Sequence, residues 1–420
     1  MISKHIIRGG NEMQSVFSWV DFSEKEKNKM YEIIEAISDP DTRDELGISP
    51  IRDYFANLMF PGTSTLHTRI KYMLFVPWSY KIIEEENLYE QDAAERMREL
   101  EIELIKTLKR KNNQTGIIGQ RSGADLSRTP ADIYWTGLKK WGILQLNVSR
   151  NDYHNFLKVY HKKNIEDYNF ENDYQINDYN YFNERIQLWD PTLLEKPKDF
   201  PKNADLNLEY TEAEYLKEKI KQNCSHTVMS EVLDLPYKEI EFIWQHPYIT
   251  CLDESLYTEV RYAQNFADTI YGANLLYNLM LTEADDKLYN DKREEYLKKI
   301  DKWKVNINTR KKELKKWKID DFWQKINIDD LKLIDFFEKW INIIMDKDYL
   351  DNIESNDYAR KLIRDREEYV KGKRARLINP RYLEKWGGAS SAAKHDYRWS
   401  NVNLFIKDIK ETLEVGDIDA

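Results

Sequence analysis

The sequence predicts a mainly α-helical protein, and three observations predict it. Glycine and proline are scarce, 14 and 11 in 420 residues, too few for a turn-rich all-β fold. Apolar residues recur at helical spacing through most long segments, and a strand-like alternation stands out only at Ile143–Val148. Capping patterns precede several of the helical runs. Hydrophobic residues make up 41% of the chain and aromatics 13%, which supplies a real core and excludes global disorder, a collagen and a disulfide scaffold.

In chain order, Ser23 with Glu26 reads as a capping box, stapled by Val20 or Phe22, before a helix carrying Met30, Ile33, Ile34 and Ile37. Asp39, Pro40 and Asp41 end it. Pro50 opens a second helix with Ile51, Tyr54, Phe55 and Leu58, and Phe60–Thr65 is a turn. Leu66–Tyr80 resumes the apolar period, interrupted by Pro77. Gln91–Lys111 is a charged helix with Met97, Leu100, Leu104, Ile105 and Leu108 on one face. Thr129 caps a short helix with Pro130 at its first position and Asp132 at its third; the helix runs to Trp141, and Gly142 is its C-terminal cap. Helix, polar loop, short capped helix and the Ile143–Val148 strand together match a winged helix-turn-helix near 106–150.

Asn164–Glu184 is dense in Asn, Asp and Tyr, and Pro191, Pro197 and Pro201 punctuate the stretch after it, so 162–205 reads as an irregular connector. Thr211 with Glu214 opens the next helix. Further helices are expected over Asp253–Leu281, Asp286–Lys318, a stripe of Ile334, Phe337, Ile341, Ile344 and Met345, Asp357–Val370 and Val402–Leu413. The expected organisation is a helical domain over 1–161 containing the winged-helix-like unit, the connector, and a helical C-terminal domain over 206–420.

Net charge is −10, so the chain is not expected to coat nucleic acid indiscriminately. Basic residues are nevertheless concentrated. Lys106–Arg150 holds nine Lys and Arg against two Asp, and Asn356–Lys385 holds ten against five acids. Lys106, Lys109, Arg110, Lys111, Arg121, Arg128, Lys139 and Lys140 are candidate phosphate contacts, since cations that neutralise phosphates give sequence-independent affinity. Lys371, Lys373, Arg374 and Arg376 form a second candidate, a basic loop. Solvated helix faces are the plain alternative for both. A further phosphate reading falls on Thr63, Ser64 and Thr65 if they cap a helix carrying His67, Arg69 and Lys71, with capping and core packing as its alternative.

No metal site is expected: Cys224, His226, His246 and Cys251 give a Cys-x-His and a His-x4-Cys pair, unlike the gaps of structural zinc sites. P-loop, dinucleotide-binding and serine-hydrolase signatures are absent, and no cofactor is expected. Two cysteines suggest no disulfide framework, and no apolar run approaches membrane-spanning length, so a cytoplasmic protein without membrane contact is expected.

Phe17–Met30 followed by Leu46–Trp78 resembles a bacterial family known only as a domain of unknown function. The matching residues are Trp19, Asp21, Phe22 and Ser23, then Gly47, Ile48, Pro50, Ile51, Arg52 and Asp53, then Phe60–Thr65. Ile133–Ile143 and Trp386–Ser400 also resemble it, and the segment 162–187 resembles a variable insertion. The resemblance implies no chemistry. It implies a context, an accessory protein encoded near helicases and phospholipase-D-like nucleases in phage-defence islands.

The expected function is therefore a nucleic-acid-binding accessory subunit, for DNA or RNA with DNA the first expectation, acting with a helicase or nuclease partner. Two alternatives stand: a non-catalytic protein–protein adaptor without nucleic-acid contact, and a metal-dependent nuclease whose carboxylates the sequence does not name. A non-enzymatic role is favoured.

Overall fold

The computed structural model describes residues 44–111, 115–163, 187–284 and 286–419. The helix expected from Ser23 and the Asn/Tyr-rich stretch 164–184 lie outside them. The described residues form 15 helices and no strand, and 65% of them are helical. In chain order these are α1 (Ser49–Met59), α2 (Tyr72–Glu85), α3 (Glu90–Arg110), α4 (Pro130–Lys140), α5 (Arg150–Lys163), α6 (Tyr210–Asn223), α7 (Val228–Val232), α8 (Glu254–Ala284), α9 (Asp286–Leu314), α10 (Ile319–Ile326), α11 (Leu331–Met345), α12 (Lys347–Asp351), α13 (Asp357–Lys371), α14 (Pro380–Leu383) and α15 (Trp399–Asp419). None of them is long and apolar enough to cross a membrane.

Local chemistry sets many of these boundaries. Thr129 caps α4 as expected, and Asp132 makes the cap a reciprocal box: the Asp132 backbone N–H donates to Thr129 Oγ1, and the Thr129 N–H donates to Asp132 Oδ2 at 3.0 Å. Gly142, at φ 65°, turns the chain out of α4 in the left-handed region that favours glycine. At α6 the box is formed two residues earlier than Thr211–Glu214. Glu209 and Glu212 are the reciprocal pair, because Glu212 also holds the buried Lys71. On α11 the buried face is Leu333, Phe336, Phe337, Trp340, Ile343 and Ile344, rotated from the expected stripe so that Trp340 faces the core.

The expected strand at Ile143–Val148 is a single bridge between Leu144 and Trp189. Gln145 N–H donates to Leu188 O at 3.0 Å and Asp190 N–H to Ile143 O at 2.8 Å, and no ladder extends beyond them among the described residues. This pairing draws the described part of the connector inward: Leu188 and Trp189 are buried, and Trp189 meets the rings of Tyr80, Trp135 and Tyr153.

One contiguous apolar cluster runs from Leu46 to Ile409, with residues from both sides of the connector. α2 packs on α4 and α3, and α3 on α5; α15 returns to pack on α6. α8 and α9 form a long antiparallel pair, with Asn278 opposite Tyr296, Gly272 opposite Trp303 and Asp268 opposite Arg310. At Gly272 the helices approach so closely that an added Cβ would lie 2.0 Å from Trp303 Cζ2. The indole cannot step aside, because its Nε1–H donates to Asp268 O at 2.7 Å and its ring stacks 6.2 Å from Trp340. Gly272→Ala gains about 1 kcal/mol of helix propensity. Overpacking costs about 1–3 kcal/mol, so a lowered urea midpoint is the expected net outcome.

Candidate nucleic-acid interface

α3 carries the basic segment. Its apolar face (Met97, Leu100, Leu104, Leu108) is buried, which turns Lys106, Lys109 and Arg110 outward at its C-terminal end. Cations there also complement the partial negative charge of a helix C-terminus. Lys106 and Arg110, one turn apart, line an open groove of about 490 Å³ together with Glu99, Glu103, Thr107 and Lys202. Glu99 is held by Arg96 at 3.1 Å. Lys106, Lys109, Arg110 and Lys202 have no ion pair among the described residues. Lys202 comes from the connector, positioned by the turn in which its N–H donates to Asp199 O at 2.7 Å. No local signal marked it, because its place beside α3 is set by contacts about 90 residues apart, such as Lys111 with Asp205 at 2.8 Å.

The other expected phosphate contacts fall into three groups. Arg121 and Arg128 are exposed on the loop before α4, which Arg98 ties to α3 by donating to Ala124 O and Leu126 O. Lys139 is half-exposed and Lys140 exposed at the end of α4. Glu101 of α3 holds the other end of α4 through Ala131 N at 2.8 Å, so at about 1.5 Å per residue those lysines stand roughly 13 Å from that contact. Lys111 is already neutralised by Asp205.

The basic loop departs most from its reading. Arg376 is buried, paired with Glu45 at 2.6 Å and donating to Ser390 Oγ at 2.9 Å. Lys371 stands 3.5 Å from the same Glu45 carboxylate. Glu367, fully buried, accepts the N–H groups of Arg376 and Leu377 and pins the loop to α13. Arg374 is half-buried and Lys373 exposed. The loop is therefore anchored inward by two carboxylates, and Arg376 is a core residue rather than a phosphate contact.

The phosphate reading at Thr63–Lys71 is overturned as well. α2 starts at Tyr72, and Thr63 Oγ1 donates back to Phe60 O. Arg69 pairs with Asp408 at 2.8 Å, and Lys71 is buried against Glu212. His67 stacks on Tyr134 at 4.2 Å, and its Nε2 is 3.1 Å from Ile133 O; burial pushes its pKa down to about 4.

A polar cluster forms where Gly47–Asp53, Phe60–Thr65 and Trp386–Ser400 meet. Arg398 donates through Nη1 to Asn57 Oδ1 at 2.9 Å and to Thr63 O at 2.8 Å, and Asn401 donates to Ser64 O at 2.9 Å. Tyr397 and Trp399 set their rings 5.7 and 5.8 Å from Phe55 and Phe60. Tyr397 and Arg398 are both left-handed, at φ 55° and 74°, a conformation that large L-residues seldom adopt. Asp44 accepts the N–H groups of Ile48 and Ser49, and Asp396 those of Arg398 and Ser400, so both carboxylates start helices. His395 is pushed down to about 4, by burial first and then by Arg52.

Among the described residues no group of three or more His, Cys, Asp and Glu is placed to hold a metal ion. His246 Nε2 lies 3.1 Å from Pro236 O, Cys224 is buried and Cys251 is exposed. No curated protein and no solved structure matches the chain. A family model does, over residues 14–412, and the chain therefore belongs to that family, described as a family of unknown function (DUF6361).

Proposed function

We propose that this protein is a cytoplasmic nucleic-acid-binding accessory subunit of a bacterial anti-phage defence system, working with a helicase or nuclease partner. The observation that carries the reading is the groove beside α3, where Lys106, Arg110 and Lys202 face solvent without a carboxylate partner among the described residues. Phosphodiester oxygens are the ligands such a row of free cations suits. On this reading α4 is the presented helix of a winged-helix-like unit, with Thr136, Lys139 and Lys140 turned outward. The anchored loop at Lys371–Arg376 contributes at most Lys373.

Fluorescence anisotropy with labelled duplex DNA, single-stranded DNA and RNA at about 50 mM salt tests it, since phosphate-driven binding is strongest there. Wild type is expected to bind, and K106E/R110E/K202E to weaken binding across sequences and lower the slope of log K against log salt by about 2–3. K139E/K140E is expected to act in the same direction. Absence of binding by wild type, alone or with its partner, sinks the proposal.

The adaptor reading has its own observation. Leu331 is 76% and Tyr369 61% exposed, on either side of Arg366, which lies 5.5 Å from the Tyr369 ring and 3.8 Å from Asp330. It predicts a complex that survives nuclease treatment and is lost on L331D/Y369D.

A further inference from the structure

Arg398 is a half-buried guanidinium whose side-chain hydrogen bonds, to Asn57 Oδ1 and Thr63 O, go to neutral acceptors. No carboxylate lies within 4.0 Å of it among the described residues; the counter-charge that acts on it from farther off is Asp53, which Arg52 already holds. Arg52, in the first turn of α1, spends only Nε, on the adjacent Asp53 at 3.0 Å. Its two terminal nitrogens have no partner among the described residues. Asp53 and Asn57 are one turn apart on α1, so the Asn57 bond brings Arg398 to the side of α1 that carries Asp53, and both Asp53 and its partner Arg52 act on it electrostatically. The neighbouring acids Asp44 and Asp396 are engaged by backbone N–H groups at helix starts. His395 lies in the same cluster, and its Nε2 is shut off from water without a hydrogen-bond partner. Two consecutive left-handed residues, Tyr397 and Arg398, hold the guanidinium in place, and unusual backbone of this kind concentrates where a side chain must be presented at a fixed position.

We propose that Arg52 and Arg398 form a binding site for a phosphoryl oxyanion, separate from the groove beside α3. Two guanidinium forks reaching from different segments offer several N–H donors to an anion with several equatorial oxygens, a match that a single lysine does not provide. The ligand is a phosphate group, carried either by a small phosphorylated molecule or by the end of a nucleic acid.

The test uses the full chain in phosphate-free buffer, titrated with inorganic phosphate and with pyrophosphate by calorimetry and ³¹P NMR. Saturable binding is expected, and R52Q is expected to weaken it about tenfold or more, the equivalent of one charge-assisted hydrogen bond. R52Q touches no partner beyond Asp53, so its unfolding midpoint is expected to stay at the wild-type value. R398K retains the charge without the fork and is expected to weaken binding as well. K106E/R110E/K202E is expected to leave phosphate binding unchanged, which separates this site from the groove. A preference for a 5′-phosphorylated over a 5′-hydroxyl oligonucleotide, lost in R52Q, assigns the site to a nucleic-acid end. Phosphate binding without that preference assigns it to a small molecule. No saturable binding of phosphate or pyrophosphate by wild type, or equal binding by R52Q, overturns the proposal.

Discussion

Asp268→Ala is expected to lower folding stability by about 3 kcal/mol, the low end of the cost of breaking a buried ion pair, because Arg310 keeps Glu313 at 3.3 Å. Asp268 is 1% exposed near the middle of α8 and pairs with both Arg310 of α9 and Lys394 of the tail. Arg310 donates onward to Asn265 Oδ1 at 2.6 Å. Lys394 lies over the stacked rings of Phe242 and Trp244, at 4.7 and 5.2 Å from their centroids. One carboxylate thus ties together the long helix pair, the tail and the Phe242–Gln245 turn. The alanine variant removes the one buried carboxylate of the cluster, leaving Arg310 with the exposed Glu313 and Lys394 with the two rings alone. Urea unfolding followed by tryptophan fluorescence measures the loss. A cost below about 1 kcal/mol, the range of a surface ion pair, contradicts the account. A variant that also replaces Arg310 with Met and Lys394 with Leu is expected to recover much of the loss, because burying no charge is often as good as burying a pair.

What the sequence made legible was mostly short-range chemistry. The Thr129 cap, Pro130 at the first helical position, Asp132 at the third and Gly142 after α4 all act within one turn, and the structure has each of them. Helix existence over α3, α8, α9, α13 and α15 follows from apolar spacing alone. The fate of individual charges was not legible, because it is set by partners far away in the chain. Arg376 is withdrawn by Glu45, 331 residues distant, and Arg69 by Asp408, 339 residues distant. A basic run looks identical in sequence whether its counter-charges are near or absent, so Lys106–Arg110 and Lys371–Arg376 read alike and fold differently. The same distance hides the Arg52–Arg398 cluster. Its two halves lie in the family-like segments Gly47–Asp53 and Trp386–Ser400, and only the contacts of Tyr397 and Arg398 with Phe55 and Asn57 of α1 join them.

Raising the pH from about 4.5 to about 7 is expected to destabilise the protein through one buried group, Glu101 of α3. Its side chain is 1% exposed, with Oε1 accepting Ala131 N–H at 2.8 Å and Oε2 without a hydrogen bond. Burial pushes its pKa up from 4.5 to about 7, against the opposing pull of the Ala131 N–H, Thr129 and Arg150. A carboxyl that holds its proton more tightly when folded stabilises the fold fully below its unfolded pKa, and that contribution disappears as pH rises through the folded value. Over the window this amounts to about 3 kcal/mol. The buried histidines work in the other direction. His67, His154 and His395 are each pushed down to about 4, mainly by burial, so their contribution is present above pH 6.5 and fades as pH falls toward 4. Wild-type stability against pH is therefore a sum of opposing slopes, and Glu101→Gln separates them. Glutamine keeps an oxygen for Ala131 and cannot ionise, so E101Q is expected to match wild type near pH 5 and to exceed it near pH 8 by up to about 3 kcal/mol. Urea midpoints of the two proteins across this range decide the matter. Parallel curves would mean that Glu101 ionises in the folded state at its ordinary pKa, which a carboxyl sealed between α3 and the start of α4 cannot do without drawing in water or a cation.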